Sequence, residues 1–190
     1  PEIPIIALLP GSRLQEIKKM LPIFIQIAAH FLDYQFVIAG APGLSIESYS
    51  AIIKNSKLKV IYNATYDLLQ HSSAALVTSG TATLETALFD VPQLVCYRSS
   101  AFSYWIAKKI VKLNYISLVN LILDRLVVTE LIQDELNLSN LCAHLEQLLD
   151  PAHQKELKQD YKELRSLLGN GGASKKTAQL IYSSISREEN

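Results

Sequence analysis

Two short stretches carry residue types suited to holding an anion. Gly11-Ser12-Arg13 follows the apolar run Ile5 to Leu9 and Pro10. Ser79-Gly80-Thr81 follows Ala74 to Val77 and Thr78, and leads into Ala82-Thr83-Leu84-Glu85. Each reads as the end of a buried strand, a tight turn and the start of a helix. That arrangement binds phosphate in open α/β sheets, because a helix start exposes unpaired backbone N–H groups and about half a positive charge. Gly11 lets the backbone come close to a ligand, and Arg13 presents a fork of donors matched to phosphate oxygens. Both stretches also have a plainer reading. The first could be a simple strand-to-helix connection capped by Ser12. Ser79 and Thr81 are equally of the types preferred as helix caps. Two such turns together favour a phosphate or diphosphate site. Neither fits a Walker loop or GxGxxG, so neither specifies ATP or a dinucleotide.

Three further residues join the candidate set. Glu85 falls about one turn into its helix. It could complement the helix dipole, or accept hydrogen bonds from two ribose hydroxyls. Arg98 lies just past a strand end, as a solvated loop charge or a second phosphate or substrate contact. Asn120 sits in the apolar segment Tyr115 to Arg125. A buried amide needs partners, so it fixes local backbone or points at ligand. The four histidines show no spacing for a metal or a triad, and no paired-carboxylate motif is present. A catalytic base is therefore not evident, and no metal or cofactor is expected.

The elements that must position these residues alternate. Strands are expected over Ile3 to Leu9, Gln35 to Ala39, Leu58 to Tyr62, Ala74 to Val77 and Gln93 to Cys96. Helices are expected between them: Leu14 to about Leu32, Ile46 to Asn55, Thr65 to His71, and Thr81 to about Phe89. Pro22 should divide the first of these into a short turn and a longer helix starting near the proline. Phe102 to Leu113, with Tyr104, Trp105, Lys108, Lys109 and Lys112, reads as an amphipathic helix on the sheet or a surface facing anionic lipid. The remainder reads as helical: Ser139 to Leu149, Pro151 to Leu168 with Asp150 as N-cap, and Ala173 to Ser186 after the break at Gly169 to Gly172. The fold class is α/β: a Rossmann-like open parallel sheet with helices on both faces and a helical C-terminal extension. The candidate turns, with Gly40 to Gly43 and Tyr97 to Ser100, all fall at strand C-terminal ends, where such sheets bind ligands.

Composition narrows the partners. In 190 residues, 49% hydrophobic, Lys plus Arg and Asp plus Glu both number 18. A chain so apolar is not disordered, and one so balanced is not built to bind nucleic acid by bulk charge. Cys96 and Cys142 read as reduced core thiols, which fits a reducing compartment. The chain enters its first strand almost at once, which suggests a fragment starting at a domain boundary.

Three blocks in order, LLPGSRLQEI (Leu8 to Ile17), VTSGTATLETAL (Val77 to Leu88) and VCYRSSAFSYWIAKKIVKLNYISLVNLILDR (Val95 to Arg125), resemble the C-terminal half of the lipid-A-disaccharide synthases, which are GT-B glycosyltransferases. Val119, Asp124 and Ser73 depart from the pattern, where many members have proline, some have glycine, and aspartate is common. The resemblance implies that Gly11, Ser12, Arg13, Ser79, Gly80, Thr81, Glu85, Arg98 and Asn120 line a site for UDP-2,3-diacylglucosamine. It implies transfer, with inversion, to 2,3-diacylglucosamine 1-phosphate (lipid X), giving a β(1→6) disaccharide without a bound metal. Residues 1–150 would be the nucleotide-sugar domain. Residues 151–190 would pack on it or cross to an N-terminal half that supplies the general base. A homodimer through the last helices, a cytoplasmic location and peripheral contact with the inner membrane are further implications. Two alternatives stand beside this: a nucleotide-binding module without turnover, and another GT-B enzyme of the UDP-GlcNAc 2-epimerase or peptidoglycan glycosyltransferase type.

Overall fold

A computed structural model describes residues 3–54, 56–98, 114–169 and 171–188. The apolar runs form strands β1 (Ile5–Leu9), β2 (Gln35–Gly40), β3 (Lys59–Tyr62), β4 (Ser72–Thr78) and β5 (Gln93–Tyr97). Between them lie helices α1 (Leu14–Ala28), α2 (Ile46–Ile53), α3 (Thr65–Gln70) and α4 (Thr81–Leu88). After β5 come α5 (Leu118–Leu123), β6 (Glu130–Ile132), α6 (Leu138–Leu148), α7 (Pro151–Leu168) and α8 (Ala173–Glu188). The expected helix over Phe102 to Leu113 lies outside the described residues.

The strands form one sheet in the order β3-β2-β1-β4-β5-β6. Every neighbouring pair is parallel. Alternate residues of the central strands serve opposite faces, because successive side chains of a strand point to opposite sides. Ile6, Leu8, Ile38 and Leu76 belong to the larger core with α1, α6 and α7. Ala7, Leu9, Val37, Ala39 and Val77 belong to a smaller core with Leu68 and Leu69 of α3. Burial on both faces explains why the strands read as continuous apolar runs.

Two expectations need correction. Pro22 does not divide the first helix: α1 runs unbroken from Leu14 to Ala28. The proline ring is exposed, so the carbonyl it leaves unbonded can reach water, while Met20, Leu21, Ile23 and Phe24 anchor both sides in the core. Pro22→Ala should restore the lost hydrogen bond and raise stability by about 1–3 kcal/mol, read by thermal or urea unfolding. The second correction is β6, in a region expected to be helical. Three residues are too few to show a strand period.

The C-terminal helices divide in behaviour. The Asp150 carboxylate accepts from the Ala152 and His153 N–H groups at 2.9 and 3.0 Å, starting α7 where the sequence places it. Leu157, Tyr161 and Leu164 of α7 are buried, and Arg165 pairs with Asp90 at 2.6 Å. On α8, by contrast, Leu180, Ile181 and Tyr182 are 71, 55 and 75% exposed. Both cysteines are free thiols, and burial pushes the Cys96 thiol far up.

Candidate functional site

The chain moves outward from β1 to β3, then returns to lay β4 on the other side of β1. Leu9 pairs with Val77 across β1 and β4, so the turns that follow these strands begin side by side. In an open parallel sheet this switch point opens the ligand crevice beyond the strand ends. Gly11-Ser12-Arg13 and Ser79-Gly80-Thr81 are its two walls.

Neither helix start is capped by its N-cap side chain; at α1 the third helical residue, Glu16, reaches back to the N-cap amide as in a capping box. The N-cap of α4 is Gly80, which has no side chain to cap with. Gly80 has φ +152°, and a Cβ there would meet nothing within 4 Å. Ser79 and Thr81 do not cap. The Ser79 hydroxyl donates to the Ile116 carbonyl at 2.9 Å, tying this wall to the chain before α5, while Thr81 is exposed. The N-cap of α1 is Arg13, not Ser12. The amides there are held by Glu16: one carboxylate oxygen accepts from the Ser12 N–H at 3.0 Å and the Arg13 N–H at 3.2 Å. The other pairs with Arg13 Nη1 at 3.2 Å. Gly11 has φ +107°, and a Cβ there would lie 2.4 Å from that carboxylate, so only glycine fits.

Glu85 reaches a different neighbour from the one its helix position suggested. Its carboxylate accepts from the Tyr66 hydroxyl at 3.0 Å. That bond holds the Tyr66 phenol above its ordinary range, so Tyr66 remains a donor. Tyr66 also stacks on Phe89 with ring centroids 5.2 Å apart. Asn63, Ala64, Thr65, Asp67, Tyr66 and Glu85 line an open cleft of about 420 Å³. Sequence reasoning missed Tyr66. The available signal was its place in the first turn of the helix after β3, at the same sheet edge as the other candidates.

Arg98 and Asn120 are engaged within the protein. An Arg98 guanidinium nitrogen donates to the Leu136 carbonyl, fastening β5 to the segment after β6. Asn120 is fully buried. Its oxygen accepts from the Val127 and Val128 N–H groups at 2.8 and 2.9 Å. Its nitrogen donates to the Val128 carbonyl and to Glu130, both at 2.8 Å. Of its two readings, the structure shows the one in which it fixes backbone. Direct contact with ligand would require one of those bonds to break. Glu130 also accepts from the Ile116 and Ser117 N–H groups, each at 2.9 Å, so one carboxylate gathers the chain before α5. The start of the Gly40 to Gly43 loop is likewise absorbed in packing, since a Cβ on Gly40 would lie 2.6 Å from the Tyr62 ring and Ala41 N–H donates to Tyr49, while Pro42 and Gly43 are exposed.

Comparison with known proteins gives the family and the fold of the chain. The family profile of lipid-A-disaccharide synthetase matches residues 1–183. The chain belongs to that family. It is 33% identical over 196 residues to the lipid-A-disaccharide synthase of Syntrophus aciditrophicus, covering 99% of this chain and 51% of that protein. It is 36% identical over 184 residues to that of Anaeromyxobacter dehalogenans, covering 93% of this chain and 48% of the relative. The chain thus spans about half the length of the curated relatives it matches. Solved structures share the fold. The calicheamicin glycosyltransferase CalG4 superposes with a TM-score of 0.58 at 17% identity, covering 98% of this chain and 43% of that one. The glycosyltransferase VinC, solved in complex with dTDP, gives 0.56 at 19%, covering 96% and 42%. This is the GT-B architecture that the family resemblance implied.

Two of the departures from the family pattern fall on described residues of α5 and its end. Asp124, where some members have glycine, ends α5 with φ +50°, a left-handed position that glycine adopts most readily. Val119, where many have proline, is the second residue of α5, and the first helical turn tolerates proline. Both departures therefore leave the backbone around Asn120 intact.

Proposed function

We propose that this chain is the donor-binding half of an inverting glycosyltransferase. The reaction moves 2,3-diacylglucosamine from UDP to 2,3-diacylglucosamine 1-phosphate, forming the β(1→6) lipid A disaccharide 1-phosphate. The observation that carries this reading is the pair of helix starts that lie side by side at the β1/β4 switch point, in a chain of this family. The diphosphate of UDP lies between them. The ribose lies toward Glu85, whose carboxylate accepts from its hydroxyls, with Tyr66 beside it.

Chemically, the bond from the sugar's anomeric carbon to the diphosphate breaks as the acceptor hydroxyl attacks from the opposite face. Positive charge grows on the ring and negative charge on the departing UDP. The amides of Ser12, Arg13 and Thr81 and the Arg13 guanidinium meet the negative charge as it forms. The base that takes the acceptor's proton lies in the remaining half of the full-length protein. The exposed apolar side chains of α8 support packing of that helix against this other half. Acylated substrates on both sides of the reaction support a place at the cytoplasmic face of the inner membrane.

The test is an assay with donor and acceptor on this chain alone and together with the other half. Turnover only in the combination supports the reading; a full-length protein inactive on these substrates contradicts it. Glu85→Ala is expected to weaken UDP binding by roughly tenfold or more, since hydrogen bonds to a charged group are lost. Unchanged affinity by calorimetry would remove Glu85 from the site.

A further inference from the structure

Glu16 holds the donors that an incoming diphosphate needs. Its carboxylate accepts from the Ser12 and Arg13 amides and pairs with the Arg13 guanidinium. It lies against the Gly11 turn so closely that a Cβ at residue 11 would fall 2.4 Å from one oxygen and 2.8 Å from Glu16 Cβ. The other wall of the crevice carries no such group: Gly80 opens α4 without a side-chain cap. So one of two adjacent helix starts brings its own anion, and the other does not.

A carboxylate and a phosphate cannot share these donors. Both are anions, and each needs the same two amides and the same guanidinium. Glu16 is free to yield. Its side chain is 29% exposed and its partner Arg13 is 82% exposed, so rotation toward solvent breaks no buried contact of the pair. Resting on the assignment of this crevice to a UDP-sugar, we propose that Glu16 is an internal placeholder anion. It occupies the Ser12–Arg13 turn when the crevice is empty, is displaced by the donor's diphosphate, and returns to help expel UDP. This arrangement keeps the amides satisfied between turnovers. It also disfavours simple phosphate anions, which lack the nucleoside contacts that offset displacement of Glu16.

The decisive variant is Glu16→Gln, which preserves size and one carbonyl acceptor but removes the charge. Calorimetry with UDP on the full chain is expected to show roughly fivefold or more tighter binding in Glu16→Gln than in wild type, with inorganic pyrophosphate following the same direction. If wild type binds UDP and the variant binds equally or more weakly, the placeholder role is overturned while the UDP site stands. If neither binds UDP, the site assignment fails and the placeholder role fails with it. A second measurement on wild type does not depend on the variant folding. In an NMR titration with UDP, the Glu16 carboxyl carbon and the Ser12 and Arg13 amides should move together, and uridine should leave the carboxyl in place. Amides that move while the Glu16 carboxyl stays would overturn the proposal.

Discussion

Arg13→Ala in the full-length protein is expected to lower turnover by about a hundredfold to a thousandfold while leaving the fold intact. The size of the effect follows from what the guanidinium does. In the proposed site it is a donor to the charge that develops on the leaving diphosphate, and removal of one such donor typically costs about that much in rate. Intact folding follows from where the side chain sits. It is 82% exposed and, among the described residues, pairs with Glu16 at 3.2 Å. An exposed pair of this kind contributes at most about 1 kcal/mol to stability. Turnover should therefore collapse with a melting curve close to wild type. Wild-type-like turnover would remove Arg13 from the leaving-group role.

Asn120→Ala should show the opposite division, with stability lost first. The amide makes four hydrogen bonds in a fully buried setting, to Val127, Val128 and Glu130. Alanine leaves the Val127 and Val128 N–H groups without their acceptor and removes one donor from Glu130. Each orphaned buried group costs about 1–3 kcal/mol, so a total of about 2–4 kcal/mol is expected after partial relaxation. At this chain length each kcal/mol lowers Tm by about 2–4 °C. The loss reaches the crevice indirectly. Glu130 also holds Ile116 and Ser117, and the Ile116 carbonyl accepts from the Ser79 hydroxyl on the α4 wall. UDP affinity should therefore fall at temperatures well below the new Tm. A variant with wild-type Tm would show that the network contributes little.

These two residues also mark what the amino-acid sequence could and could not reveal. The position of Arg13 at a helix start was legible because a strand, a glycine and a helix start form a local pattern with a physical reason behind it. The sheet was legible for the same reason: continuous apolar runs alternate with helical ones. Asn120 was legible only as a question, since its partners lie seven to ten residues away and one is a glutamate in a strand too short to show a period. Tyr66 escaped because its partner Glu85 is 19 residues distant, and only the folded sheet edge brings α3 and α4 together. A helix cap was the plainer of two readings for Ser79 and Ser12, because serine favours that position. Gly80 and Arg13 took the cap positions instead, leaving Ser79 to bind the segment before α5 and placing Ser12 beneath Glu16. Pro22 shows core packing overriding local preference, since four buried neighbours keep α1 continuous through it.

The most direct test of the donor-half assignment is a structure of this chain with UDP bound. The expected result places the diphosphate between the two walls, within hydrogen-bond reach of the Ser12, Arg13 and Thr81 amides and the Arg13 guanidinium, with the ribose hydroxyls on Glu85. UDP bound away from the β1/β4 crevice, or bound there with its ribose turned from Glu85 and its diphosphate out of reach of Arg13, would contradict the assignment.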